Sequence, residues 1–192
     1  MFNFLDYSDI KGHLQIAKVF PSGEEQVVFD DHNIIVSGMG VGLSLMFAGS
    51  AINKITDYQI THFQVGVSGG SNLEVSTTYQ LSTPLTAAQY GANSVLAIAT
   101  LDQVINGAVQ TNKTFLAIPF NNITRVTDNS VRFSLLLDEN TANSISVNEV
   151  GLFMRNPLNR STPACILVAY RSHTTIPKTS DFSLVYRWVI QF

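Results

Sequence analysis

The residues best suited to chemistry are few and scattered. Asp30, Asp31 and His32 stand side by side. Two carboxylates and an imidazole are metal-ligand and acid–base types. Yet strand neighbours point to opposite faces, and one His without a distant partner is a weak metal signature. Turn and capping duty is the expectation for Asp30, Asp31 and Asn33, with Asn33 or Ser37 capping a following helix. His13, His32, His62 and His173 show no i, i+2 or i, i+4 pairing. The acid pairs Glu24-Glu25 and Asp138-Glu139 read as a turn and a solvated strand end. A glycosidase needs two carboxylates about 5–10 Å apart across one sugar, and nothing nominates such a pair. No G-x-S-x-G elbow occurs. Gly38-Met39-Gly40-Val41-Gly42 is not G-x-G-x-x-G, no Gly-Lys-Ser/Thr follows, and no βαβ rhythm surrounds it. It reads as a backbone turn of positive φ or a place of close packing. Tyr58, Tyr79 and Tyr90 suit stacking on a sugar or a neighbouring subunit, with plain loop packing as the alternative. No catalytic residue, cofactor or metal is expected.

The elements that would position these residues are mostly strands. In the last twelve residues Phe182, Leu184, Tyr186, Trp188, Ile190 and Phe192 fall on one face. Ser183, Val185, Arg187, Val189 and Gln191 fall on the other. That alternation predicts a half-buried strand central to the core. Burying its six side chains is worth on the order of 10 kcal/mol before entropy is subtracted. Ile123–Val126 and Val131–Leu137 flank Asp128-Asn129 as a hairpin. Leu14, Ile16, Lys18 and Phe20 alternate with their neighbours, and Pro21-Ser22-Gly23 turns the chain into Gln26–Phe29. Further strands are expected at Ile60–Val67, Val95–Ala99, Phe115–Ile118, Val147–Met154 and Cys165–Tyr170. Two short helices are expected, at about Val41 to Ala48 and as a turn near Thr86 to Tyr90. The fold class is therefore mainly β, an antiparallel β-sandwich or jelly-roll-like arrangement with one or two short helices. Residues 1–11 form an N-terminal arm, and residues 12–192 a single β-sandwich domain.

Composition narrows the function. Charged residues are 13% of the 192, about half the usual share of roughly 25%. Low charge suits a subunit whose surface is covered by neighbours, or a neutral Ser/Thr-rich β surface. A net charge of −3 with no run of Lys or Arg argues against nucleic-acid binding. Cys165 is the only cysteine and lies in an apolar run, so a buried, inert thiol is expected. Met1 to Lys11 lacks the basic start of a signal peptide, and no 18-residue apolar stretch occurs, so no membrane partner is expected.

Several segments also fit a known pattern. They are Gly12–Phe20, Val27–Ser37 (VVFDDHNIIVS), the Gly-rich Gly38–Gly49, Phe63–Val67 (FQVGV), Val147–Met154 (VNEVGLFM) and Cys165–Phe192 with its IPKTSDFSLVYRWVIQF ending. In this order and spacing the chain resembles virion structural proteins of tailed bacteriophages, especially contractile-tailed phages of cyanobacteria. The resemblance implies a β-rich particle protein without known catalysis, made in the bacterial host cytoplasm and located in the virion. It implies a homo-oligomer in the tail, neck or collar, or baseplate. Capsid decoration and a receptor- or glycan-binding fibre module are the alternatives. The implied partners are copies of itself and other virion proteins, with a host surface glycan for the fibre alternative. For that alternative the Ser68–Asn72 and Asn156–Ser161 loops would carry the binding surface.

The motif residues have fold-specifying roles. Gly151 inside its strand predicts a bulge or a close backbone approach. Lys178, Thr179 and Asp181 form the turn that sets the register of the last strand, with Asp181 bonding backbone N–H groups. Trp188 lies mid-strand in the core. Phe2, Phe4 and Leu5 are the candidate assembly contacts, as an arm docking on a neighbour or packed on its own domain.

Overall fold

Alternating apolar side chains build a sheet wherever two such runs can pair. The computed structural model describes residues 10–48, 55–70, 78–91, 97–156 and 164–192. Among them, ten strands and two α-helices follow one another. They are β1 Lys11–Val19, β2 Glu25–Ile35, α1 Ser37–Ala48, β3 Ile60–Gly66, α2 Ala87–Tyr90, β4 Ile98–Ile105, β5 Ala108–Ala117, β6 Ile123–Thr127, β7 Ser130–Leu137, β8 Ile145–Asn156, β9 Ala164–Lys178 and β10 Ser183–Gln191. Phe2, Phe4 and Leu5 lie outside the described residues, as do Val95 and Leu96, and, of the two expected binding loops, Ser71, Asn72 and residues 157–161.

The protein is mainly β. The strand order is β4-β5-β3-β8-β9-β2-β1-β10-β7-β6, and β4 also pairs with β9. That second pairing, parallel through Asp102–Val104 and Ala164–Ile166, closes the sheet in a barrel-like way. The cause is the length of β9. Its fifteen residues pair with β8 along one edge through two register shifts; on the other edge β2 takes Ala169 and Tyr170, and β4 takes Ala164–Ile166.

The last strand lies where its alternation places it. Leu184, Tyr186, Trp188 and Ile190 are fully buried, and Phe182 nearly so. β10 sits between β1 and β7, with Trp188 opposite Leu14 and Phe133. The Trp188 ring meets Phe63 of β3 at a centroid distance of 6.1 Å, joining the β1–β10–β7 side to the β3–β8 side in one core. Phe192 departs from the expectation. It is 47% exposed, because the chain has run past the register that covers the strand. A second core lies within the β4-β5-β3-β8-β9 ring. Phe115 and Phe153 meet there edge-on at 5.1 Å, beside Leu167 and Cys165. Burial pushes the Cys165 thiol up to about 12, so the expected inert thiol is found.

Three expectations need correction. Asp30, Asp31 and Asn33 are not turn residues. They lie within β2, paired with Gln15, Leu14 and Gly12 of β1. Cross-strand partners outweigh their turn preference: His13 Nε2 lies 2.7 Å from Asp30, and Arg171 pairs with Asp31. The Gly-rich segment is not a positive-φ turn, because α1 begins at Ser37 and runs through Gly38, Gly40 and Gly42. The close-packing half of that reading holds. A Cβ on Gly38 would strike the Leu167 carbonyl oxygen, and one on Gly42 the Met154 sulfur. These glycines are four residues apart, so they share one helix face.

The third correction concerns β4 and β5, which extend well beyond Val95–Ala99 and Phe115–Ile118. They form a hairpin around Asn106-Gly107, both in the left-handed region at φ 47° and 76°. That geometry is a two-residue hairpin turn for which Asn-Gly is the strongest sequence signal. Gly107→Ala is expected to cost about 1 kcal/mol, because a Cβ is strained at that φ. Urea unfolding of the variant checks it, and an unchanged midpoint would count against this turn.

Candidate functional site

Among the described residues Glu149, within β8 and fully buried, holds a dense set of hydrogen bonds. One carboxylate oxygen accepts the backbone N–H groups of Thr83 at 2.8 Å and Ser68 at 3.4 Å. The other accepts the Ser82 N–H at 2.9 Å and the Tyr170 hydroxyl at 2.9 Å. Asn148 Oδ1 adds the Gly69 N–H at 2.9 Å. A carboxylate is an acceptor with about four lone-pair positions, and all four bonds are made. Burial, then the Glu149 charge, holds Tyr170 well above the usual phenol range, so its hydroxyl stays a donor. The result is a clamp. It holds the end of β3 against the segment that leads to Leu85, whose N–H bonds the Val65 carbonyl.

Gly66 and Gly151 serve this clamp. A Cβ on Gly66 would overlap Glu149 Oε1. A Cβ on Gly151 would lie 2.5 Å from Leu81 Cδ1 and 2.8 Å from Leu167 Cδ1. Gly151 is therefore a point of close approach, and the register shifts fall on either side of it, at Val147/Glu149 and Leu152/Phe153.

The turn before β10 is built around a buried lysine. Lys178 Nζ donates to the Thr179 carbonyl at 2.7 Å and to Asn143 Oδ1 at 3.1 Å. Burial pulls its pKa down while Asp138, Glu139 and Asp181 oppose that shift. The Asp181 carboxylate accepts the Thr179 hydroxyl at 3.1 Å, and the Asp181 N–H donates to Thr179 Oγ1. The expected turn is present. The bond to the Asp181 carboxylate runs from this hydroxyl, where backbone N–H donors had been expected. Asp138 is not solvated as expected. It is buried, accepting the Thr141 hydroxyl at 2.5 Å and the Asn140 N–H at 3.0 Å. Glu139 accepts the Ser183 hydroxyl at 2.9 Å, tying the acid pair to the first residue of β10.

Other candidates scatter. Tyr58 and Tyr90 are core residues. The Tyr90 hydroxyl exchanges bonds with the Val65 backbone, so its ring is not offered to a ligand, whereas Tyr58 lines an apolar groove. His13 and His32 meet across the β1–β2 pair at 5.8 Å, a juxtaposition created by strand register. Among the described residues no group of three or more His, Cys, Asp or Glu is placed to hold a metal ion. No helix of the described residues is long and apolar enough to cross a membrane.

The surface feature that spacing did not disclose is an apolar groove of about 270 Å³. Leu43 and Met46 of α1 form one wall. Phe120, Ile123 and Phe192 form the other, with Phe133 of β7 among the lining residues. Phe120 is 89% exposed, and Phe47 beside Met46 is 82% exposed. α1 carries no charged residue. A helix apolar all round is normally enclosed by other protein. Here only Gly38, Met39 and Gly42 are buried.

Compared with known proteins, the chain matches no family model, no curated protein and no solved structure.

Proposed function

We propose that this chain is a non-enzymatic structural subunit of a tailed-phage virion, assembling as a homo-oligomer in the tail, neck or baseplate. The observation that carries the assembly reading is the uncharged helix α1 with Val41 and Phe47 turned outward beside the groove. A lone soluble chain gains nothing from such a surface, whereas a subunit in a particle covers it. The phage assignment rests on the resemblance of the Asn148–Phe153 and Lys178–Phe192 segments. Their residues build the clamp and the last turn, which are fold-specifying duties.

We read the two curved halves as packing sandwich-fashion across Trp188 and Phe63. The buried acids support the non-enzymatic reading, because Glu149 and Asp138 spend their acceptor capacity on the chain's own donors. Immunogold labelling of purified virions tests the assignment. Antibodies to the chain should decorate one defined level of the particle. Failure to label any part of it would overturn the proposal.

A further inference from the structure

The loop between β7 and β8 holds Asn143 in a strained setting. Ala142 and Ser144, on either side of it, lie in the left-handed region at φ 56° and 63°, where non-glycine residues are uncommon. Such strain persists only where surrounding contacts enforce it. Here the Ala142 N–H bonds the Tyr90 carbonyl at 3.0 Å, and the Ser144 N–H bonds the Lys178 carbonyl at 2.9 Å. The Asn143 amide is oriented as well. Its Nδ2 donates to the Glu139 carbonyl, and its Oδ1 accepts from Lys178 Nζ at 3.1 Å.

The lysine on the other side of that contact is fully buried. Its Nζ lies 5.5 Å from the centre of the Phe182 ring. Asp138, Glu139 and Asp181 act on its charge, but burial is the larger influence and favours the neutral amine. A neutral, desolvated lysine amine is a nucleophile. The amide carbon Cγ stands one bond behind Oδ1, so a small shift brings it to the about 3–3.5 Å of an attack geometry.

We propose that Lys178 and Asn143 join in an isopeptide bond that ties the end of β9 to the β7–β8 loop. Nζ attacks Cγ. The Nζ–Cγ bond forms, the Cγ–Nδ2 bond breaks, and one Nζ proton passes to Nδ2, which leaves as ammonia. A carboxylate of the Asp138-Glu139 pair carries that proton. Asp138 is buried beside the loop, and Glu139 is the residue whose carbonyl holds the leaving nitrogen. The step is redox-neutral and takes no co-reactant. Each chain makes the bond once, so it is compatible with a non-enzymatic subunit and is independent of what that subunit builds.

Intact mass spectrometry of the purified full chain tests this. The folded protein should weigh one ammonia less than its sequence requires. Hydroxylamine, which opens cyclic imides formed at asparagine, should not remove the deficit. Trypsin should release residues 133–155 joined to residues 172–187, uncut after Lys178. Lys178→Arg keeps the charge and removes the nucleophile, whereas Asn143→Ala removes the acceptor at an exposed position. Each should return the full mass. Full mass in the folded unsubstituted chain overturns the proposal, as does a deficit without the branched peptide or one that survives either substitution.

Discussion

Glu149→Ala is expected to lower the unfolding free energy by about 3–5 kcal/mol, the range for stripping the partner from a buried polar network. Three backbone N–H groups and the Tyr170 hydroxyl lose their acceptor together. Each buried donor left unpaired costs about 1–3 kcal/mol. The full sum is not reached, because Ser68, Ser82 and Thr83 are exposed residues whose amides can turn to water. Glu149→Gln separates volume from chemistry. It keeps the size but puts an NH2 group against N–H donors whichever way the amide is turned. It should therefore recover less than half of the lost stability. Urea unfolding at neutral pH measures both variants. Hydrogen exchange should show the loss concentrated at residues 66–69 and 82–85. A cost below about 1 kcal/mol for the alanine variant would show that the clamp is ornamental.

Acid should destabilise the protein well above the ordinary carboxylate range. His62 and His173 are both pushed down to about 4 from 6.5, chiefly by burial. Arg155 adds to the effect at His62. The His173 ring donates its Nδ1–H to the Thr174 carbonyl at 2.8 Å, and its Nε2 is buried without a partner. Protonating it would place a charged N–H where nothing accepts it. The sign follows from proton binding. Between pH 6.5 and 4 the unfolded chain holds more protons than the folded one, so stability is full above 6.5 and falls as pH falls. Below about 4 the folded state protonates as well, and these two groups cost nothing further. At 1.36 kcal/mol per pH unit, each contributes a loss of about 3 kcal/mol across the window. Glu25 adds to acid sensitivity only at lower pH, because its hydrogen bond to Arg187 holds its pKa below the usual value. Urea midpoints at pH 7.5, 5.5 and 4.5 should fall in that order. A chain with His62→Gln and His173→Gln should start lower and show a much flatter slope through the same window. Parallel slopes in the two proteins would sink the assignment.

The two predictions concern groups of different legibility. The histidines gave no sign of burial. His62 alternates with Thr61 and Phe63 in a strand whose two faces are both covered, so period-two reasoning could not tell which face was wet. Glu149 stood in the recognised N-E-x-G-L-F motif, yet its four donors come from segments 21 to 81 residues away. The Asn106-Gly107 turn is legible in the sequence, where it stands between Val104-Ile105 and Ala108-Val109. The Asp30–Asn33 error ran the other way. Turn propensity is a weak local preference, and the pairing of ten of the eleven β2 residues with β1 and β9 overrides it.

The apolar alternation of β1, β7 and β10, the turns at Pro21–Gly23 and Asp128-Asn129, and the inert Cys165 were all determined by the sequence itself. Side-chain period and turn chemistry act over a few residues, so the chain carries them locally. Only the tertiary structure decided the β4–β9 closure, the Glu149 clamp, and the placing of α1, Phe120 and Phe192 around one groove. Each of these depends on which distant segments meet in a ten-stranded sheet, and the choice of partner between strands far apart in the chain is not carried by any one segment's own pattern.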